Sequence, residues 1–94
     1  MRVKWLRKAL RNLDDEATFI AADDPAAARR VVKRVLDAVA LLAEQPGLGR
    51  PGRVPGTREL VVLKTRYIVP YRVRAQTVEV LRLFHTSRRL PQSW

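Results

Sequence analysis

Two stretches of the N-terminal half place apolar residues at intervals of three and four positions, the period of an amphipathic helix. The first stretch carries Leu6, Ala9, Leu10, Leu13, Ala17, Ile20 and Ala21. The second, predicted to run to about Gln45, carries Ala28, Val31, Val32, Val35, Leu36, Val39, Leu42 and Ala43. Between them, Asp24 is a suitable N-cap and Pro25 fits a first helical position. The short link predicts that the two helices fold back on each other as an antiparallel hairpin.

The C-terminal half changes to segments rich in β-branched and aromatic residues, which are typical of strands. Three such segments occupy residues 56–62, 67–73 and 78–85. The links between them are short, so the segments are predicted to form an antiparallel meander of hairpins. Pro70 lies inside the middle segment, and proline cannot donate a ladder hydrogen bond. A bulge or a locally unpaired position is therefore expected there.

These elements predict one α+β domain over residues 1–94. A further short strand is expected at residues 2–5, with Val3 and Trp5 on one side. Residues 46–56 are rich in proline, glycine and arginine and are predicted to form a loop. Neither helix can bury its apolar stripe alone, so both are predicted to pack on one face of a mainly antiparallel sheet. The stripes should meet the sheet at Leu13, Val35, Val39 and Leu42.

Composition restricts the chemistry that this domain can perform. The chain has no cysteine and one histidine, so neither a thiolate site nor a multi-histidine metal site is expected, and no cofactor is predicted. The formal charge is +10, an excess that favours anionic partners. Neither a signal-peptide core nor a membrane-spanning stretch is visible, so a cytoplasmic protein without a membrane partner is expected.

An ordered set of residues then resembles the RelE/ParE superfamily of type II toxin–antitoxin toxins. The set comprises Trp5, residues 9–13, 24–28, 41–42, 46–50, 56–60 and 67–73, and finally residues 80–85. The resemblance covers nearly the whole chain. It implies a small basic toxin that is neutralised by a cognate antitoxin wrapping around it. It also implies one of two targets: messenger RNA, cut on the ribosome by the RelE branch, or DNA gyrase, inhibited by the ParE branch without nuclease activity.

The residues that RNA cleavage would require are only partly present. A nuclease could use His85 or Glu59 for proton transfer and Arg72 or Arg82 to stabilise the phosphorane charge. RelE-like nucleases, however, surround their cleft with several lysines and arginines, and here Lys64 is the only lysine after residue 33. Tyr67 aligns with the catalytic arginine of the family, and no tyrosine follows Tyr71. The prediction is therefore a ParE-like gyrase inhibitor that is not an enzyme, with a ribosome-dependent mRNA endonuclease, or a toxin that has lost its toxicity, as alternatives.

Binding residues follow from the same resemblance and from the charge. Contacts with the target are predicted at Arg58, Lys64, Arg82, Arg88 and Arg89. Contacts with an acidic antitoxin segment are predicted at Arg29, Arg30, Lys33 and Arg34. Structural roles remain open for several candidates: Glu59 can pair with a nearby arginine, Arg82 can be a structural arginine at the sheet edge, and His85 can cap its strand.

Overall fold

The computed structural model describes residues 1–94 as two helices packed on one mixed sheet. In chain order the elements are β1 (Arg2–Trp5), α1 (Arg7–Asp23), α2 (Pro25–Ala40), a 3₁₀ turn (Leu41–Ala43), β2 (Arg50–Pro51), β3 (Arg58–Val61), β4 (Tyr67–Arg74), β5 (Thr77–Val80) and β6 (Phe84–His85). This order confirms the predicted α+β architecture. Neither helix combines the length and the apolar content that crossing a membrane would require.

The helical hairpin has the predicted connection but a shorter second helix. Asp24 caps α2, because its Oδ1 accepts a hydrogen bond of 3.0 Å from the amide of Ala27. The helix ends at Ala40 rather than near Gln45, and the following turn tightens into 3₁₀ geometry. Pro46 disfavours helical geometry at Gln45, so a helix is not expected to continue beyond that residue.

The sheet has the strand order β1-β5-β4-β3-β2, and β6 also pairs with β4. Strands β3, β4 and β5 form the predicted antiparallel meander. The N-terminal strand β1 adds to the far side of β5 in parallel, with Val3 opposite Val78. The loop predicted over residues 46–56 contains one short paired segment, β2, which the sequence pattern did not indicate.

The irregularity expected at Pro70 is present, and the extra residues lie on the neighbouring strand. The carbonyl oxygen of Pro70 accepts hydrogen bonds from the amides of both Leu81 (2.9 Å) and Arg82 (3.4 Å). Two residues thus face one, which is the arrangement of a β-bulge. The bulge splits the predicted segment 78–85 into β5 and β6.

The core lies between the helices and the sheet. Its buried members are Ala9, Val35, Val39, Leu42, Leu60, Val62, Tyr67, Val69, Tyr71, Val78, Val80 and Leu83. Val35, Val39 and Leu42 are buried as predicted, and Leu13 packs against them partly exposed. The predicted stripes were too wide, because Leu10 and Leu36 are 52% and 44% exposed. The sheet covers a narrower sector of each helix than its apolar residues occupy.

The loop before β3 is held by two buried side chains of the sheet. The hydroxyl of Tyr71 donates to the carbonyl of Pro46 (2.7 Å) and accepts from the amide of Gly49 (2.8 Å). Position 49 has to be glycine, since a Cβ there would lie 2.6 Å from a ring carbon of Tyr71. Glu59 accepts hydrogen bonds from the Arg53 amide (2.9 Å) and guanidinium (3.2 Å).

The charge of Glu59 is stabilised although its side chain is only 3% exposed. Burial alone would raise the pKa of Glu59. The hydrogen bonds from Arg53, its positive charge and a further bond from Arg50 outweigh burial and hold the pKa below its ordinary value of 4.5. The predicted pairing of Glu59 with a nearby arginine is therefore confirmed, and the carboxylate fastens the loop to β3.

Truncating Leu42 tests the assignment of the core. Leu42→Ala removes a fully buried side chain, and we expect a loss of about 2–4 kcal/mol in the free energy of unfolding. In a domain of this size, that loss corresponds to a fall of about 8 °C or more in Tm. Leu36→Ala is the matched control and should change stability by less than about 0.5 kcal/mol. Equal melting temperatures for the two variants would contradict the assignment.

Neutralising Glu59 tests the loop clamp and its dependence on pH. Glu59→Gln should cost about 1–3 kcal/mol at neutral pH, because hydrogen bonds to a charged acceptor are lost. The folded-state pKa is depressed, so this stabilisation is complete above pH 4.5 and disappears as the pH falls through the folded-state pKa. Urea unfolding of the wild type and the variant between pH 3 and 7 measures it. The exposed Glu44→Gln is the control, and a difference that persists undiminished at the lowest pH would contradict the clamp.

Candidate functional site

A cleft of about 470 Å³ opens between α1, α2 and the end of β4 that pairs with β6. It is lined by Phe19, Ile20, Val31, Thr65, Arg66, Tyr67, His85, Ser87 and Arg88. The cleft combines aromatic and apolar walls with two arginines and the single histidine of the chain. It is therefore the place where a nuclease site would be sought first.

Two ionisable side chains of this cleft, Tyr67 and Arg88, share one carboxylate as their partner. Glu16, on α1, accepts a hydrogen bond of 2.8 Å from the hydroxyl of Tyr67 through Oε1, and its Oε2 accepts one from the guanidinium of Arg88. Burial and the hydrogen bond to Glu16 raise the pKa of Tyr67 to about 12. At neutral pH Tyr67 is therefore a protonated donor and cannot act as a general base.

His85 is held by its neighbours on two sides. Its ring stands edge-on to Tyr67, with centroids 5.2 Å apart. Its Nδ1 accepts from the amide of Ser87 (3.1 Å) and lies 2.6 Å from the Ser87 hydroxyl oxygen. A backbone amide can only donate, so this contact requires an unprotonated Nδ1. His85 thus has the local structural role that was left open as an alternative, because its ring accepts a hydrogen bond from the backbone two residues later.

The other three residues proposed for catalysis each have a separate partner. Glu59 lies in the loop clamp, and Arg72 Nε donates to Glu79 (2.7 Å). Arg82 Nε donates to the side-chain oxygen of Asn12 (2.8 Å), an interaction typical of a structural arginine. His85 pairs with Tyr67, whereas Arg72 lies five residues further along β4, about 17 Å away at the rise of a strand. The four side chains therefore do not form one cluster.

The five arginines and lysines predicted to contact the target fall into two groups. Arg58, Arg82 and Arg88 are used within the fold: Arg58 donates to the carbonyl of Gly49 (2.8 Å), and the other two bond to α1. Lys64 and Arg89 are exposed, and neither side chain makes a hydrogen bond or an ion pair. Lys64 and Arg89 therefore have no internal bond, whereas Arg58 and Arg88 are exposed but commit part of their guanidinium groups to the fold.

Two of the four cations predicted for antitoxin binding, Arg29 and Lys33, border an apolar groove of about 540 Å³ on the helical hairpin. Val32, Leu36 and Ala21 contribute its apolar lining, and Asp37 is its third charged residue. Lys33 also pairs with Asp37 at 2.7 Å. The remaining two lie apart from the groove, since Arg30 is exposed and Arg34 donates to the carbonyl of Lys64 (3.2 Å).

A second apolar surface follows the edge of β3. β2 pairs with this strand only at Arg58 and Glu59, so the edge beyond them has no neighbouring strand. Val61 and Leu63 are 46% and 78% exposed there. An unpaired edge with exposed apolar side chains is suited to the addition of a strand from another chain.

The C-terminal residues fold back over the bulge. Trp94 stacks at 5.5 Å on Phe84, lies 5.9 Å from the guanidinium of Arg53, and donates through its indole to the hydroxyl of Thr57 (3.3 Å). Its carbonyl accepts from Arg82 at 3.4 Å. This tail thereby packs on β6, on the bulge and on the loop before β3.

Sequence reasoning missed the two residues that organise these contacts, Asn12 and Glu16. Asn12 Oδ1 accepts from both Arg82 and the amide of Leu83, and Glu16 joins Tyr67 to Arg88. They lie one helical turn apart beside the apolar stripe of α1, and that spacing was the available signal. No group of three or more metal-binding side chains occurs in the structure.

Comparisons with known proteins agree on one family. Residues 3–90 match the family model described as ParE toxin of type II toxin-antitoxin system, parDE. The chain is 48% identical over 91 residues to a protein of Sinorhizobium fredii named "Putative toxin Y4kP", covering 97% of this chain and 94% of that one. It also superimposes on a chain from the chromosomal ParDE TA system of P. aeruginosa with a TM-score of 0.80 and 31% identity, covering 90% of this chain and 95% of that chain. This protein therefore belongs to the ParE family of type II toxin–antitoxin toxins.

Proposed function

We propose that this toxin acts by binding and inhibiting DNA gyrase, without breaking bonds itself, and that a cognate antitoxin neutralises it. The observation that carries this proposal is the state of the cleft. Glu16 holds Tyr67 and Arg88, and Tyr67 remains protonated at neutral pH. No carboxylate or phenolate in the cleft is free to act as a base.

Membership of the ParE family supports the same target. The candidate groups for RNA cleavage each have their own internal partner, and Arg72 lies far along β4 from His85. General acid–base catalysis requires the acid, the base and the charge-stabilising groups to converge on one phosphate. A binding interface has no such requirement, and exposed cations such as Lys64 and Arg89 can contribute to it.

The antitoxin fits the two apolar surfaces described above. The groove between the helices has Arg29 and Lys33 among its lining residues, which suits an amphipathic helix with acidic flanks. The open edge beyond Glu59 presents Val61 and Leu63 to an extended segment. A partner that is disordered alone could cover both surfaces, since folding on binding allows a short chain to cover a large area.

The variant His85→Gln distinguishes gyrase inhibition from RNA cleavage. Glutamine keeps a hydrogen-bonding side chain of similar size but cannot titrate near neutral pH. We expect His85→Gln to remain toxic, to inhibit supercoiling by purified gyrase as the wild type does, and to leave ribosome-bound transcripts uncut. Lys64→Ala and Arg89→Ala should each reduce inhibition only a few-fold, because a single solvent-exposed charge contact contributes about 1 kcal/mol or less.

The opposite result would support the endonuclease. It would consist of a drop of about a hundredfold or more in toxicity for His85→Gln with a normal melting curve. Mapped transcript ends would then appear in cells that express the wild type and be absent with the variant. Supercoiling activity unaffected by the wild-type protein would reject gyrase as the target independently of that outcome.

Substitution at the open edge tests antitoxin binding. The products of the small open reading frames on either side of the toxin gene would be titrated against it by calorimetry. Leu63→Asp should weaken the complex about tenfold or more, because it places a charge within an apolar contact. Leu10→Asp, at an exposed apolar position of α1, is the matched control and should bind normally. Absence of a complex at micromolar concentration with either product would contradict the proposal.

A further inference from the structure

One end of the sheet presents a flat face of charged residues that the functions proposed above do not use. On β1, β5 and β4, the residues Val3, Trp5, Val78, Val80 and Tyr71 point towards the helices. Side chains alternate along a strand, so the residues between them face the other way. We name this surface the sheet platform; it consists of Arg2, Lys4, Arg72, Arg74, Thr77 and Glu79.

The strand register arranges the platform in two rows. Arg2, Thr77 and Arg74 lie side by side in one row, and Lys4, Glu79 and Arg72 in the next. Each row is about 10 Å wide and the rows are about 7 Å apart, from the spacing of strands and residues in a sheet. Four cations and one carboxylate thus occupy a small flat area, with a net charge of three positive.

The single carboxylate of the platform orients the arginines around it. Glu79 Oε1 accepts from Arg72 Nε at 2.7 Å and lies 3.7 Å from Arg74 Nε. The side chain of Glu79 is 14% exposed, whereas that of Arg74 is 67% exposed. The negative charge therefore lies beneath the guanidinium groups, and the cations form the surface that a partner meets.

We infer that the sheet platform binds the sugar–phosphate backbone of double-stranded DNA. Three of its four cations are arginines, whose planar donors match phosphate oxygens. A duplex carries one negative charge per about 1.7 Å of its axis on its two strands together, so a length of about 10 Å holds about six charges, enough to supply partners for the four cations. The inference does not depend on gyrase being the target of the toxin.

The composition of the platform favours a duplex over other anionic partners. Protein interfaces have an apolar core with aromatic residues enriched in it, and the platform presents no apolar or aromatic side chain. Single strands are held by stacking of their bases on aromatic rings, and the nearest aromatic residue of β1, Trp5, points to the core. Contact with backbone phosphates alone gives sequence-independent, salt-dependent binding.

The test compares two variants of equal charge. Arg2→Gln/Arg74→Gln removes one row of cations and leaves the bond between Arg72 and Glu79 in place. Arg29→Gln/Arg30→Gln removes two exposed cations from α2, on the other side of the molecule. Fluorescence anisotropy with a labelled 20-base-pair duplex of arbitrary sequence, at 25 to 200 mM salt and without gyrase, measures the affinity of each. Thermal melting of both variants establishes that they are folded.

We expect the wild type to bind the duplex with a steep salt dependence. The platform variant should lose about tenfold or more in affinity at the lowest salt, and the slope of log K against log salt should fall by about two. The α2 variant should lose less than about threefold. If either variant melts at a lower temperature than the wild type, the single substitutions Arg74→Gln and Arg29→Gln, both at exposed side chains, are compared instead.

Three outcomes would overturn the inference. Equal losses in the two variants would mean that the total charge of the protein, and not the platform, attracts DNA. Equal affinity for a single strand of the same length, or for polyglutamate of the same charge, would remove the preference for a duplex. No binding of the wild type at 25 mM salt would also reject the site. The gyrase proposal is tested separately, because a platform variant that no longer binds DNA but still inhibits gyrase would leave that target intact.

Discussion

The burial of β4 on both of its faces is the constraint on which the rest of the structure depends. Residues 67–71 of this strand are buried without interruption, although a sheet residue normally has only one side in the core. The helices cover one face through Tyr67, Val69 and Tyr71. The other face carries Ile68 and Pro70; Phe84, which lies opposite Ile68 in the register, is on the same face and packs against Trp94.

The same fold determines which charged side chains are buried and which are exposed to a partner. Carboxylates sit next to arginines at three places: Glu59 at the loop, Glu79 on the platform and Glu16 beneath the tail. In each, the carboxylate is buried more deeply than the guanidinium that it holds. The acidic groups thus act as fixed internal partners, while much of the positive charge remains at the surface. The net charge of +10 is therefore available at the surface, which suits a protein that works by binding.

The sequence predicted the structure correctly where the local pattern and the tertiary structure agree. Helix periodicity, the Asp24 cap and the Pro70 irregularity depend on neighbours within a few residues, and each was predicted correctly. The hairpin after Arg74 was predicted from its length, although Ala75 and Gln76 take the left-handed conformation that usually selects asparagine and glycine. The cleft could not be predicted, because Glu16 and Arg88 are 72 positions apart and meet only once the sheet is complete. From the sequence alone, a polar residue beside an apolar stripe that bonds a buried hydroxyl cannot be distinguished from one that faces water.

The C-terminal tail, residues 86–94, is attached more weakly than the core and should open before it. The tail is held by an ion pair, a few polar bonds and the ring of Trp94, whereas the core beneath it is held by buried aliphatic side chains. Local opening costs less free energy where few apolar contacts are broken. Amide hydrogens of residues 86–94 should therefore exchange with solvent long before those of β4 and β5. The native ensemble then includes a form with an intact fold and a released tail, in which Phe84 and the bulge are accessible.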